Sequence, residues 1–230
     1  MDPTVDATMA TTTQVLAEQH WLLKAFQDGG SSMILIAICG VLTVLLIIER
    51  FFALRRLVVD KEDFNNKIFS MILRGDLRQA IAFCDNIRAP LTNVVKSGLE
   101  QVLNKRPDEE VQVAMDSAVL RESPKIEGWA PFLAVMANVA TLIGLLGTII
   151  GLIIAFGEIG NADPAKKAEM LSLGIAHALN NTAAGIAVAV PSLVFFGFFQ
   201  LRISRAINDM QETSMTLLNL VVANRDKMKG

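Results

Sequence analysis

The sequence is poor in the residues that build metal centres and disulfides. Its 230 residues include two cysteines, Cys39 and Cys84, and two histidines, His20 and His177, all far apart in the chain. No CxxC or other paired spacing occurs, so a zinc site, a histidine metal cluster and a disulfide framework are not expected. The net charge of −2 gives no sign of nucleic-acid binding. Since no nucleophile–base constellation is visible either, we expect neither enzymatic activity nor a cofactor.

Charge is also missing from the interior of three long apolar segments. Hydrophobic residues make up 52% of the chain and the mean hydropathy is +0.44, which is too apolar for an ordinary soluble domain. The apolar residues are concentrated at 31–49, 129–157 and 169–201. Each segment is about long enough to cross a bilayer as a helix. We therefore predict an all-α integral membrane protein with three transmembrane helices.

Arginines beside these segments predict the orientation of the chain. Arg50, Arg55 and Arg56 follow the first segment, and Arg202 and Arg205 follow the third. Basic residues next to a span mark the cytoplasmic side, so the N-terminus is predicted outside and the C-terminus inside. A signal peptide is the alternative for the first segment, but it would carry its basic residues before the apolar run.

The remaining segments complete the predicted topology. Residues 1–30 form a periplasmic segment with an amphipathic helix between 12 and 26, and 158–168 form a short periplasmic loop. Residues 50–128 form a cytoplasmic helical domain punctuated by Pro90, Pro107 and Pro124. Residues 202–230 form a cytoplasmic helix with a stripe that indicates a packing surface. The stripe consists of Ile203, Ile207, Met210, Ser214, Leu217 and Val221.

Small and polar residues recur along one face of the second span. Thr141, Gly144, Thr148, Gly151 and Ala155 follow one another at steps of three and four. Gly147 and Gly151 also form a GxxxG pair, which favours close helix packing in lipid. Packing explains this face without any further role, and a polar pathway is the alternative.

The third span makes the polar pathway the stronger interpretation. His177 and Asn181 lie four residues apart on one helix face, with Asn180 and Thr182 beside it. Four polar side chains in six residues are costly in lipid unless they meet partners or water. His177 is either a neutral hydrogen-bonded residue or a proton relay. Since no Asp, Glu, Lys or Arg lies in the middle of any span, ion transport would need His177 or an acid from another chain.

Two motifs resemble those of the MotA/TolQ/ExbB family of ion-driven motor subunits. GLLGTIIG at 144–151 is similar to the family's second-span signature, and GIAHALNNTAAGIAVAVP at 174–191 is similar to its third-span signature. The order of three spans with a large insertion after the first also resembles TolQ and ExbB. The sequence departs from the family at His177, where a glutamate is usual, and at Ala140–Thr141, where a proline is common. These departures indicate a divergent branch, such as a gliding-motility motor.

The resemblance implies a homo-pentameric ring in the bacterial inner membrane. The ring would enclose two copies of a single-span TolR/ExbD-like partner, each with an intramembrane aspartate, and would convert ion motive force, carried by protons, into mechanical work. An energised periplasmic or outer-membrane protein would receive that work. Membrane lipid is the other expected partner, and nucleic acid is not expected. The family's threonines that line the ion path match Thr148 and Thr182.

The expected site therefore has two sets of residues. The expected pore-lining set is Thr141, Thr148, His177, Asn181 and Thr182, and the expected packing set is Gly144, Gly147, Gly151, Gly185 and Pro191. Two other functions stay open. A small-solute transporter would show internal repeats and broken helices, and only Pro191 could kink a span. A passive scaffold would tolerate the loss of both threonine hydroxyls.

Overall fold

The computed structural model describes residues 30–87, 89–160 and 164–224. Within them the chain is all-α. Its seven described helices are α1 (Gly30–Leu57), α2 (Lys61–Leu73), α3 (Leu77–Asn86), α4 (Pro90–Leu103), α5 (Asp108–Glu127), α6 (Ala130–Gly160) and α7 (Lys167–Asn224). The amphipathic helix predicted between 12 and 26 lies outside the described residues, as do 161–163 of the predicted loop and 225–230 of the predicted C-terminal helix.

Three of these helices, α1, α6 and α7, are long and apolar enough to cross a membrane. Their outward faces carry large aliphatic side chains, among them Ile34, Val41, Leu142, Ile153 and Val190. A water-soluble surface would not expose contiguous apolar side chains on this scale, whereas lipid chains accommodate them. The prediction of three long apolar helices is thus confirmed.

Two helices continue through positions where the sequence suggested an interruption. The segments predicted at 169–201 and 202–230 share the single helix α7, which also runs through Pro191. Arg202 marks a change of polarity in the sequence, and such a change does not require the backbone to leave the helix. Pro124 lies inside the last turn of α5. At that position the missing proline N–H removes one backbone hydrogen bond, and the helix ends three residues later.

The chain divides into two compact units. The first comprises residues 30–45 of α1 and, within 132–194, the described parts of α6 and α7. In this unit α1 turns Met33, Ile36, Cys39 and Thr43 inward, at steps of three and four. The Ser192 hydroxyl of α7 donates a hydrogen bond of 3.2 Å to Thr43 Oγ1. This buried polar contact ties α1 to α7 because neither hydroxyl has water available.

The second unit comprises residues 46–131 and the chain from 195 onward. The carboxylate of Asp60 begins α2 by accepting the N–H groups of Glu62 and Asp63, at 3.0 and 3.4 Å. Gly75, with φ +82°, makes the turn into α3. The stripe predicted on the C-terminal helix is buried here except for the half-buried Ile207. Its apolar members share the core with Phe64, Ile68, Ile72, Leu99, Met115 and Ile126.

A buried arginine joins the end of α1 to the end of α5 within this unit. Arg50 is paired with Glu49 at 2.5 Å, and its Nη1 donates a hydrogen bond of 3.2 Å to the carbonyl of Glu127. That carbonyl belongs to a helix C-terminus, where a cation is favourable. Gly128 follows with φ +43°, and a Cβ there would lie 1.9 Å from Arg50 Nη1. Only glycine fits this position.

Candidate functional site

In the first unit, α6 and α7 approach each other through their backbones. A Cβ added to Gly144 would lie 2.9 Å from the carbonyl oxygen of Asn181 and 3.2 Å from the Cα of Gly185. A Cβ added to Gly185 would lie 2.6 Å from the carbonyl oxygen of Ala140. These distances are too short for any side chain. Without hydrophobic drive in lipid, glycines allow this approach and the van der Waals contact that comes with it.

The close approach brings Thr148 of α6 and Thr182 of α7 together. Their hydroxyl oxygens are in direct hydrogen-bond contact. Thr148 Oγ1 also lies 3.1 Å from the carbonyls of Gly144 and Ala178, and Thr182 Oγ1 lies 3.3 Å from the Gly144 carbonyl. Each hydroxyl has one proton to donate and lone pairs to accept. The pair can therefore change which oxygen donates without moving its helices.

Two other predicted pore-lining residues, Asn181 and His177, lie near the threonine pair. Asn181, next to Thr182, is 5% exposed, and among the described residues its Oδ1 has no hydrogen-bond partner. Gly147, which precedes Thr148, packs against Asn181, since a Cβ added to Gly147 would lie 3.0 Å from the Cβ of Asn181. His177 lies one turn along α7 and is half-buried. The structure thus brings together four of the five predicted pore-lining residues.

The other predicted residues lie at different places on the helices. Thr141 is exposed on α6 and donates a hydrogen bond of 3.0 Å to the carbonyl of Ala137 in its own helix. Gly151 packs against Ala178, whose Cβ would lie 3.2 Å from a Cβ at the glycine. Pro191 is exposed on α7, whereas the next residue, Ser192, is buried. Neither Thr141 nor Pro191 takes part in the contact around the threonines.

Sequence reasoning did not single out several residues that shape this region. Ser32 of α1 lies against α6, because a Cβ at Gly147 would be 2.8 Å from its hydroxyl oxygen. Gly174 of α7 lies against Ala155 of α6, since a Cβ added to Gly174 would lie 2.2 Å from the Cβ of Ala155. In the sequence Gly174 lies three residues before His177, which places both on one helix face. That spacing was the available signal.

The second unit contains a cavity of about 310 Å³ lined by Cys84, Asp85, Glu122 and Lys125. Burial raises the pKa of the Cys84 thiol to about 12, so the thiol stays protonated and is a poor nucleophile. Glu122 is buried but accepts a hydrogen bond of 2.7 Å from Lys125. The described residues hold no group of three or more His, Cys, Asp or Glu that could bind a metal. The cavity therefore offers no evident chemistry.

Comparison with known proteins agrees with the motifs and the geometry. A sequence profile described as the MotA/TolQ/ExbB proton channel family matches residues 86–212. A biopolymer transport protein ExbB homolog from Methanothermobacter thermautotrophicus is 27% identical over 192 residues, covering 83% of this chain and 67% of that protein. The Tol-Pal system protein TolQ from Pseudomonas aeruginosa is 26% identical, covering 74% and 77%. TolQ from Haemophilus influenzae is 38% identical over 96 residues, 42% of each chain.

A solved structure shares the fold. A chain of the C. jejuni MotAB structure superposes with a TM-score of 0.56 at 15% identity, covering 96% of this chain and 88% of that one. The family profile covers more than half of the sequence, including both threonines. The structure also has three apolar helices that are long enough to span a membrane. This membrane protein belongs to the MotA/TolQ/ExbB proton channel family.

Proposed function

We propose that the chain is the ion-conducting subunit of a motor complex in the bacterial inner membrane. It assembles as a homo-pentamer around two copies of a single-span partner of the TolR/ExbD type. Proton flow through the complex is converted into mechanical work, and the chain has no enzymatic activity of its own. The observation that carries the proposal is the hydroxyl pair of Thr148 and Thr182, at the contact of two apolar helices.

The absence of charge from the spans supports a partner with an acid. The apolar stretches 33–45, 132–157 and 170–194 contain no Asp, Glu, Lys or Arg. Threonine hydroxyls can hydrogen-bond a carboxyl group and its proton, but they do not carry a proton themselves near neutral pH. We infer that a titratable carboxyl group comes from another chain, with His177 as the alternative carrier in this chain. Names of similar proteins, TolQ, ExbB and MotAB, point to the same kind of partner.

The available energy is sufficient for a protonation switch. One elementary charge crossing the membrane is worth about 2.3 kcal/mol per 100 mV. On insertion scales, placing a charged side chain at the bilayer centre costs roughly 2.5–3.5 kcal/mol. Because these energies are comparable, protonation of a partner carboxyl group can shift it between a neutral and an ionised position. The threonine pair stabilises whichever form lies beside it.

The test uses substitutions that keep the shape of threonine. Cells co-express the chain with a single-span protein encoded beside it, truncated outside the membrane so that the channel is open, and cytoplasmic pH is recorded. Thr148→Val and Thr182→Val remove the hydroxyls, and Thr148→Ser retains one. A hydrogen bond to a charged group contributes about 1.5–3 kcal/mol, so each valine variant should reduce proton flux at least roughly tenfold. Thr148→Ser should retain most of it.

Thr216→Val is the matched control on α7. The Thr216 hydroxyl is exposed and donates a hydrogen bond of 2.9 Å to a carbonyl of its own helix. Its loss should leave the flux unchanged. Acidification in the wild type that disappears in the valine variants, at equal yield of the complex, supports the proposal. Sodium flux without acidification would mean that the transported ion is sodium. If neither ion is transported, the proposal is refuted and the chain is a passive scaffold.

A further inference from the structure

A cavity of about 450 Å³ lies among the three helices of the first unit. Its polar lining comes from Ser31 and Ser32 of α1, Glu158 of α6, and His177 and Asn181 of α7. It extends along α6 from Glu158, near the end of that helix, to Gly147 beside the threonine pair. We name it the loop-side cavity, because Glu158 near the end of α6 and Met170 near the start of α7 line it. A space of this size has room for several water molecules.

Asn181 reaches this cavity with an unsatisfied polar atom. The residue is 95% buried, and its Oδ1 has no hydrogen-bond partner among the described residues. Leaving a buried amide oxygen unpaired is unfavourable, because the oxygen loses its hydrogen bonds to water and gains none in return. A carbonyl-type oxygen accepts a hydrogen bond from water or coordinates a small cation. The amide oxygen recognises water and a cation in the same way, because water directs a proton at it and a cation directs a positive charge at it.

The charges that line the cavity favour a cation. Glu158 from α6 is exposed near the helix end, His177 and Asn181 come from α7, and the described part of α1 contributes the two uncharged serines. A carboxylate near the mouth of a low-dielectric space raises the local concentration of cations. Among the residues that the structure describes, His177 is the one basic residue in the lining.

We propose that each subunit admits the transported cation through the loop-side cavity, and that the Asn181 amide oxygen holds the cation or its water at the base. From there the cation passes to the threonine pair, one residue further along each helix. This inference rests on the proposed function and adds the entry route and its ligand. The cation arrives as a proton on water or as sodium, both recognised by the same oxygen.

Accessibility of Asn181 to a cation in water is the direct test. In the full complex, with Cys39→Ala and Cys84→Ala as background, Asn181→Cys is treated with Ag⁺, which reacts with thiolates formed only in contact with water. Leu179→Cys is the matched control at the same depth, since Leu179 is 59% exposed on the outward face of α7. Ag⁺ should modify Asn181→Cys faster, by about tenfold or more. Equal, slow rates would mean a dry cavity and overturn the proposal.

Filling the cavity shows whether it is the route. Ser32→Leu places an apolar side chain into the cavity, whereas Ile38→Phe adds bulk to the exposed side of the same helix. Ser32→Leu should slow the modification of Asn181→Cys roughly tenfold, and Ile38→Phe should not. A rate unaffected by Ser32→Leu would mean that the cation reaches Asn181 from elsewhere. If Asn181→Cys lowers the yield of the complex, Ser32→Cys against Ile38→Cys gives the same comparison.

Ion flux separates this inference from the proposed function. Asn181→Leu removes the amide while keeping a branched side chain of four heavy atoms, and Asn181→Asp keeps an oxygen at the same position. Asn181→Leu should reduce flux roughly tenfold, the equivalent of about 1.4 kcal/mol, and Asn181→Asp should retain more of it. Flux lost in Thr148→Val but retained in Asn181→Leu would refute the cavity route alone. A wild type without proton or sodium flux would refute the proposed function, and the route with it.

Discussion

Replacing Gly185 by alanine tests the backbone contact between α6 and α7. The new methyl group would lie 2.6 Å from the carbonyl oxygen of Ala140, whereas an ordinary contact begins at 3.4 Å. The two helices must therefore separate locally by about 0.8 Å. No rotamer change can relieve the contact, because both groups belong to backbone or to Cβ. Gly197→Ala is the matched control on the same helix, since nothing lies within 4 Å of a Cβ there.

The expected cost follows from that distance. Overpacking of a tight interface costs roughly 1–3 kcal/mol, while an unhindered Gly→Ala change favours the helix by up to about 1 kcal/mol. Both variants share the helix gain, so at about 2–4 °C per kcal/mol for a chain of this size, Gly185→Ala should unfold roughly 2–12 °C below Gly197→Ala. Gly197→Ala should unfold at or slightly above the wild type. Thermal unfolding of purified protein in detergent, followed by fluorescence, measures both.

The same displacement should weaken the threonine pair. A local shift of about 0.8 Å takes a hydrogen bond of normal length close to the limit at which it ceases to contribute. Flux through the complex should therefore fall in Gly185→Ala and not in Gly197→Ala. If the two variants unfold at the same temperature, α6 and α7 are not in backbone contact at Gly185, and the geometry argued for the threonine pair is wrong.

Three further predictions concern the second unit. Gly128→Ala should destabilise it, because the residue has φ +43° and the methyl group would collide with Arg50; thermal unfolding measures the loss. Cys84, with its pKa raised by burial to about 12, should resist maleimide at pH 8 until urea unfolds the chain, since only about one thiol in ten thousand is ionised there. A hydrogen bond from Lys61 to Glu212 raises the pKa of Lys61 above its ordinary 10.5. The resulting stabilisation is complete below that pH and is lost as pH rises through the raised value, so wild type and Lys61→Met should converge in urea stability above about pH 10.5.

Each of these predictions has a control within the chain. Gly75→Ala shares a positive φ but meets no atom within 4 Å, so it should cost less than Gly128→Ala; an equal cost would mean that the collision is unimportant. Rapid maleimide labelling of Cys84 in the folded protein would contradict its burial. Lys67 pairs with Asp63 on the exposed surface, so Lys67→Met should change stability little at any pH. A pH-independent gap between wild type and Lys61→Met would exclude the ion pair as its cause.

The membrane helices could be predicted well from the sequence because one property decides them. An uncharged, mostly apolar segment of spanning length has few alternatives to a spanning helix, and α1, α6 and α7 follow from that property. The ends of the helices could be predicted less well. The sequence placed a boundary at Arg202 because charge changes there, but charge position reports the surrounding solvent, and α7 continues as a helix into the second unit.

The site could be predicted only in part, because periodicity assigns residues to a face of one helix without pairing the faces of two. Spacing placed Thr148 and Thr182 on polar faces, and only the family resemblance suggested that they work together. Their contact depends on Gly144 and Gly185 meeting at the same level, which is a long-range property. Thr141 has the right spacing but lies beyond the contact. The burial of Arg50 beside Gly128 likewise depends on two segments distant in sequence.

The glycine contact also affects the entropy of helix association. Glycine has no side chain to immobilise, so bringing Gly144 against Gly185 costs no rotamer freedom. A pair of leucines at this level would lose about 0.5–1 kcal/mol each on becoming fixed. The contact between α6 and α7 is therefore opposed by a smaller loss of side-chain entropy, and the free-energy cost of such a loss grows with temperature. Its strength should vary less on warming than that of contacts made by long side chains elsewhere in the chain.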